Sequence, residues 1–341
     1  VKKGTLIEKA TTGADGTAKF TADLPIGYSY SVKEDQAPEG YVRNTEDVYT
    51  FQFSYTNDKE ATVSFAHTFS NDRVTAKINL YKVDKETGKA VPQGDATLKG
   101  AVYGLYARED IVHPDGATGT IYKAGEQVAS LTTDNKGQAS VNGLYLGKYY
   151  VKEITPPTGY LADTEEHDLT CSYEGDMTAE VKRECTSSEQ VIKQPFQIIK
   201  AANNGKTDAD LLSGAGFTVY LKSSLTKKAD GSYDFDSAKP VVSRENGATE
   251  IFTDEKGYAC SIPLPFGSYI VRETTTPHNY KPVDDFEVNI TEHHPNEPQI
   301  WRVLLDEEFK AKLKIVKKDD ETKKSVLIAG TEFKIGRASC R

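Results

Sequence analysis

Sulfur and tryptophan are scarce in this sequence. Its 341 residues include four cysteines, one methionine and one tryptophan. Cys171, Cys185, Cys260 and Cys340 form no CxxC pair and hold no regular place along the chain, so neither a disulfide framework nor a zinc site is expected. Cys171 and Cys185 would meet only if their strands are neighbours, and a free buried thiol is the expectation for each. No apolar run reaches the roughly 18 residues needed to span a bilayer. There is no starting methionine, leader or C-terminal anchor pattern, but the chain opens in mid-pattern, so further segments are expected beyond both ends. Positive charge is in deficit, with 42 basic against 51 acidic residues and a net charge of −9. That argues against a nucleic-acid partner and for a self-repelling polar surface. A Ser-His-Asp arrangement and an HExxH motif are also missing, so a turnover enzyme is not expected, and no cofactor or metal is implied.

What is present points to strands. The 19 tyrosines and 13 phenylalanines, with frequent threonine and valine, suit pleated, half-buried surfaces. At 37.5 kDa the chain exceeds the usual size of one hydrophobic core, so repetition is the first property to test. YSVKEDQAPEGYV from Tyr30, YYVKEITPPTGYL from Tyr149 and YIVRETTTPHNYK from Tyr269 are one motif written three times, with Glu34, Glu153 and Glu273 at intervals of 119 and 120 residues. A second marker, INLYKVD, FQIIKAA and LKIVKKD, places Lys82, Lys200 and Lys317 at intervals of 118 and 117. Two independent markers with one period define the repeat.

Between the markers the pattern is β throughout. TTGADG at 11–16, TNDKE at 56–60, TTDNKG at 132–137 and FTDEKG at 252–257 read as the turns of β-hairpins. Gly27, Gly147 and Gly267 turn the chain into the motif strand, and no segment carries a capped stripe of 3.6-residue period. Seven or more short strands per repeat predict an all-β chain of tandem β-sandwiches of immunoglobulin size. The boundaries fall near residues 72, 190 and 307. Residues 1–72 are a repeat lacking its first strands, 73–190 and 191–307 are complete repeats, and 308–334 start another. Residues 335–341, IGRASCR, break the pattern in the manner of a translated sequencing adaptor, which would leave Cys340 without a role.

The register exposes a third position. Asn71 lies 11 residues before Lys82, Asp306 lies 11 before Lys317, and the same count back from Lys200 reaches Glu189. Each closing strand thus carries Asn, Glu or Asp at one fixed place, each opening strand a Lys and each motif strand a Glu. In residues 191–307 all three occur, as Lys200, Glu273 and Asp306.

KVDKETGK at 82–89, GAGFTVY at 214–220 with its echo GAVYGLY at 100–106, the DNKG and DEKG turns, and VKEITPPTGY at 151–160 together resemble the Cna B-type, or SpaA-like, repeats of Gram-positive surface adhesins and pilins. The resemblance covers nearly the whole chain. It implies a prealbumin-like β-sandwich and, in many members, an intramolecular isopeptide bond from a first-strand Lys to a last-strand Asn or Asp, promoted by a Glu. The three residue types suit that chemistry. Burial disfavours the charged forms of amine and acid alike, which leaves a nucleophile and a proton donor able to polarise the target carbonyl. The amine then displaces ammonia from Asn or water from Asp.

On this resemblance the bond joins Lys200 to Asp306, with Glu273 as promoter. In residues 73–190 Lys82 and Glu153 are in place but Glu189 occupies the acceptor position. A Lys82–Glu189 salt bridge is expected there, with an isopeptide as the alternative. Glu34 and Asn71 hold promoter and acceptor places whose Lys would lie upstream of Val1, and Lys317 is a donor whose Glu and acceptor lie outside this sequence. The expected function is structural: a stalk or spacer of an extracellular, cell-wall-anchored adhesin or pilin-like protein whose partners are its neighbouring repeats, without membrane contact in this stretch.

The alternative is a binding module for host matrix protein or glycan, with the insertion LKSSLTKKADGSYDFDSAKPVV at 221–242 as the first place to look. A third class, an accessory domain of a carbohydrate-active enzyme, would need a catalytic domain in the flanks. Weaker signals read as structure. Pro157, Gly159 and Tyr160 form a turn with an aromatic folded onto the core. His293 and His294 face opposite ways before Pro295, as in an exposed loop. The acidic stretch from Asp230 to Asp236 lacks EF-hand spacing, and the glycines around Gly214 read as a strand turn instead of a phosphate cradle.

Overall fold

The structure is a computed structural model that describes residues 2–52, 54–55, 63–204 and 210–336. The TNDKE turn and Cys340 lie outside the described residues. Among those residues the one helical element is the three-residue 3-10 turn Lys222–Ser224, and no helix is long and apolar enough to cross a membrane. The chain forms two compact units, one of residues 1–194, 265–268 and 289–294, the other of residues 195–264, 269–288 and 295–341.

The second repeat is a sandwich of two sheets. One sheet orders its antiparallel strands as Glu166–Cys171, Gly147–Thr155, Val102–Ala107 and Gln127–Thr132. The other orders Glu180–Glu189, Thr75–Asp84 and Gln138–Leu144. The opening strand Thr75–Asp84 and the closing strand Glu180–Glu189 lie side by side and parallel. The third repeat has the same topology. Its four-stranded sheet runs Glu250–Phe252, Gly216–Leu221, Gly267–Thr275 and Phe286–Ile290, and its three-stranded sheet runs Tyr258–Cys260, Gln197–Asn203 and Arg302–Glu307. There too the opening strand, Gln197–Asn203, and the closing strand, Arg302–Glu307, are parallel neighbours.

Alternation along the opening strand explains the core and the site together. Ala76, Ile78, Leu80, Lys82 and Asp84 all point inward, because side chains two apart share one face of a strand. The first three join Tyr103, Leu105, Leu131, Tyr149 and Val151 in the core of the second repeat. Each fully buried Leu or Ile contributes about 1.5–3 kcal/mol, and that apolar strip fixes the register that carries Lys82 beneath the sandwich. Cys171 and Cys185 are free thiols in the same core.

Three expectations are corrected. The DNKG and DEKG turns do not close hairpins. Gln127–Thr132 and Gln138–Leu144 flank the first turn yet pair with Val102–Ala107 and Thr75–Asp84 respectively, in different sheets. Glu250–Phe252 and Tyr258–Cys260 are divided in the same way around the second. Each turn is therefore an arch between sheets, held because Asp134 accepts hydrogen bonds from the amides of Lys136 and Gln138, and Asp254 from those of Lys256 and Tyr258. The segments around TTGADG form no strand, and in the first repeat the described strands are Ser29–Lys33 and Val48–Gln52, which pair with each other. The opening strand anticipated around Lys317 is likewise absent: residues 308–336 form no strand, and Leu313, Ile315, Val316 and Leu327 are exposed with no second layer to bury them.

Candidate functional site

In the third repeat the two parallel strands bring an amine and an acid together. Lys200 is paired in register with Leu304, so the acceptor position, two residues farther on, is Asp306, opposite Ala202. From the facing sheet, Glu273 of the motif strand sits opposite Phe217. Lys200, Glu273 and Asp306 all enter one interior pocket, with side chains 0% exposed. The Lys200 Nζ lies 2.6 Å from Glu273 Oε2 and contacts Asp306 Oδ1. Phe217 covers it, with the ring centroid 5.4 Å from Nζ. Glu273 Oε2 also accepts the backbone N–H of Val283 at 3.0 Å, whereas Glu273 Oε1 and Asp306 Oδ2 accept no hydrogen bond. Burial, the largest influence, raises the Asp306 carboxyl above its ordinary range, against the opposing pull of Lys200.

One cation with two carboxylates would leave a net negative charge in this dry pocket, which costs several kcal/mol per unpaired ion. A proton on one carboxyl removes that charge. The arrangement therefore favours an acid form beside the lysine.

The second repeat builds its pocket at the same register. Lys82 pairs with Ser187, and Glu189 lies two residues on, opposite Asp84. Lys82 Nζ contacts Glu189 Oε1 and lies 3.6 Å from Glu153 Oε1, all three side chains being essentially unexposed. Burial pulls the Lys82 amine down to about 8 and pushes the Glu153 carboxyl up. This pocket is more polar than the third repeat's. Tyr103, at the place of Phe217, donates its hydroxyl to Glu189 Oε1 at 2.8 Å. Ser187, at the place of Leu304, donates to Asp163 Oδ2 at 2.8 Å, and that oxygen also meets His167 Nε2 at 2.8 Å.

In the first repeat Glu34 and Asn71 do come together, the Asn71 amide donating to Glu34 Oε2 at 2.7 Å and to the Val42 carbonyl at 2.8 Å. Lys317 is far simpler: its amine donates to Thr331 Oγ1 at 3.0 Å on an exposed surface.

Two supports of these pockets escaped the sequence reading. The first is the proline and tyrosine segment after each motif Glu, which is a clamp. The Glu accepts the N–H ten residues on, from Asn44, Asp163 and Val283. The residue after the tyrosine donates its N–H to the carbonyl just past the acceptor, as Val42 to Asp72, Leu161 to Gln190 and Lys281 to Glu307. The residue before the tyrosine returns its own carbonyl, as Gly40 to Val74, Gly159 to Ile192 and Asn279 to Phe309. Those three carriers sit at φ of 87°, 86° and 71°, the left-handed region that a glycine or asparagine tolerates. The motif thus ties the promoter to the end of the closing strand, and its threefold repetition was the available signal. Tyr160 is buried and donates its hydroxyl to Asp84 at 2.9 Å.

The second support is the arch glycine. The amide of Lys82 donates to Gly137 O at 2.7 Å and that of Lys200 to Gly257 O at 2.7 Å, so the arch fixes the backbone of each buried lysine. Both glycines have positive φ, and a Cβ on Gly137 would stand 2.7 Å from the Lys82 carbonyl oxygen, while one on Gly257 would press on that of Lys200. Gly257→Ala is expected to cost about 2 kcal/mol or more, from the left-handed backbone and the displaced opening strand, read as a lower urea midpoint of the full chain.

His293 and His294 lie in the loop after Phe286–Ile290, where His293 Nδ1 accepts the Lys193 amide at 3.1 Å. Among the described residues no cluster of metal-ligating side chains is present.

A family model described as the SpaA prealbumin-like fold domain matches residues 1–67, 76–184 and 195–300. The comparison with curated proteins finds no match. Among solved structures the chain is similar to the TIE protein of Bacillus anthracis, at 25% identity and a TM-score of 0.54, over 88% of this chain and 45% of that one. This chain therefore spans less than half of that protein's length. It is also similar to the minor pilin of Streptococcus agalactiae, at 17% identity and a TM-score of 0.31 over 71% of this chain and all of that one. The shaft pilin SpaA of Lactobacillus rhamnosus GG matches at 19% identity and a TM-score of 0.25, over 71% and 99%. With the domain model matched three times over most of its length and two sandwiches of one topology, the chain belongs to the SpaA family of prealbumin-like fold domains.

Proposed function

We propose that the chain is a structural stalk segment of an extracellular bacterial adhesin or pilin-like protein, held to the cell wall through other regions, in which the third repeat is closed by an isopeptide bond between Lys200 and Asp306. The observation that supports this reading is the meeting of Lys200 and Asp306, on the first and last strands of one sandwich, with Glu273 of the facing sheet in a pocket without solvent exposure. A proton passes from the Lys200 ammonium to the carboxylate beside it, the freed amine attacks Asp306 Cγ, and Glu273 donates from Oε1, the oxygen that accepts no hydrogen bond, to the Asp306 carboxyl. The Cγ–O bond breaks, water leaves with the transferred protons, and the amide that remains is uncharged. Burial raises the Asp306 carboxyl, the direction that favours the acid form such a loss of water requires. Glu273→Ala is expected to leave Lys200 and Asp306 unlinked, so that a proteolytic digest of the full chain yields their two peptides separately while the parent yields them joined.

One observation favours a second reading. Val303 and Leu305 of the closing strand and Trp301 immediately before it form an exposed apolar row, 63%, 48% and 58% exposed, where the second repeat carries Thr186, Ser188 and Glu184. In this reading that face docks host matrix protein or glycan, checked by comparing binding of the full chain with that of a Val303→Thr, Leu305→Ser variant.

A further inference from the structure

The closing strands of the second and third repeats hold the same place in the fold but carry different outer faces. Each lies at the end of its three-stranded sheet and is paired on one side with the opening strand. Among the described residues no strand pairs with the other side of either. In the second repeat the outward residues are Lys182, Glu184, Thr186 and Ser188, charged and hydroxyl side chains of the kind that keep a bare edge from pairing with another chain. At the matching places the third repeat has the apolar Trp301, Val303 and Leu305. We propose that the closing strand of the third repeat is a self-association edge, which pairs antiparallel with the same strand of a second copy about a two-fold axis at Val303.

The uncovered length of the edge sets that register. From Glu307 onward the clamp occupies the strand, the Lys281 amide donating to the Glu307 carbonyl at 3.0 Å and Tyr280 bridging to Glu308. The outward residues before that point are the three apolar ones, with Val303 in the middle. Directly opposite residues of an antiparallel pair lie on one face of the sheet. An axis at Val303 therefore sets Val303 against its own copy and Trp301 against Leu305, twice. An axis at Leu304 would instead set Trp301 against the exposed Glu307.

This alternation also identifies the occupant. Read in the reverse direction the row is its own complement, apolar against apolar at each outward place, as a two-fold interface requires. Each strand also brings the other the backbone N–H and C=O groups that its own edge leaves unpaired. Trp301 is already held over the sheet, its ring centroid 5.8 Å from that of Tyr258 on the far strand. The pairing joins two three-stranded sheets into one of six strands and gives neighbouring stalks a lateral contact. It does not depend on a bond between Lys200 and Asp306, since both of those side chains face the interior.

The test is sedimentation equilibrium of the full chain over a concentration series. The mass is expected to rise from 37.5 kDa towards twice that value. Val303→Lys sets like charges opposite each other at the axis and should hold the chain at the monomer mass. Its far-UV circular dichroism should match the parent's, because Val303 lies outside the core. Register is read from Val303→Cys in a Cys340→Ser background. Opposite residues of antiparallel strands are within reach of a disulfide, so mild oxidation should yield a covalent dimer, whereas Arg302→Cys, set against Leu304, should not. A parent that stays at the monomer mass throughout the series would overturn the proposal and leave the apolar row to an unlike partner. It would equally be overturned by a Val303→Lys chain that associates as strongly as the parent, or by Arg302→Cys cross-linking as fast as Val303→Cys.

Discussion

Lys200→Ala is expected to destabilise the third repeat by about 4 to 5 kcal/mol or more. An amide from residue 200 to residue 306 closes a loop of about 106 residues, and the chain-entropy estimate for a cross-link of that span gives this figure at 25 °C. The variant also leaves Glu273 and Asp306 as two carboxyls facing each other at 0% exposure where the linked parent holds one carboxyl and an uncharged amide, and a buried polar group without its partner adds further cost. For a domain near 110 residues the shift in melting temperature is about 20 °C. Calorimetry of the full chain should show one transition move down by this amount.

The second large effect is mechanical. The opening and closing strands of the third repeat are parallel neighbours, so tension on the two ends would otherwise shear them apart along their hydrogen bonds. With Lys200 joined to Asp306 the force runs from the opening strand through two side chains into the closing strand, and the chain between them carries none. In single-molecule pulling the parent should therefore never release that segment. Lys200→Ala should add an unfolding step of about 350 Å in contour length, since roughly 105 freed residues extend by about 3.4 Å each. A stalk built this way resists tension and proteolysis without oxidising conditions, which agrees with the free buried state of Cys171 and Cys185.

Much of the site was legible because the repeats share one register. Lys200, Glu273 and Asp306 sit on three different strands, and no local pattern links them. Their fixed offsets from markers that recur along the chain placed them together, and the folded strands then show all three side chains pointing inward. The same reasoning failed where a residue's meaning depends on which sheet a neighbour joins. DNKG and DEKG have the composition of hairpin turns, and nothing in four residues says that the flanking strands enter opposite sheets. Alternation alone also suggested strands around TTGADG and Lys317, where no facing layer is present to bury one side.

The central claim is that an amine and a carboxyl group from the outermost strands of one sandwich become a covalent bond, and the most direct measurement is the mass of the peptide that contains Lys200 after complete digestion of the unmodified chain. The expected result is a branched species that joins it to the peptide containing Asp306, short by one water, with no free Lys200 peptide remaining. Recovery of the two as separate peptides at their full sequence masses would contradict the account.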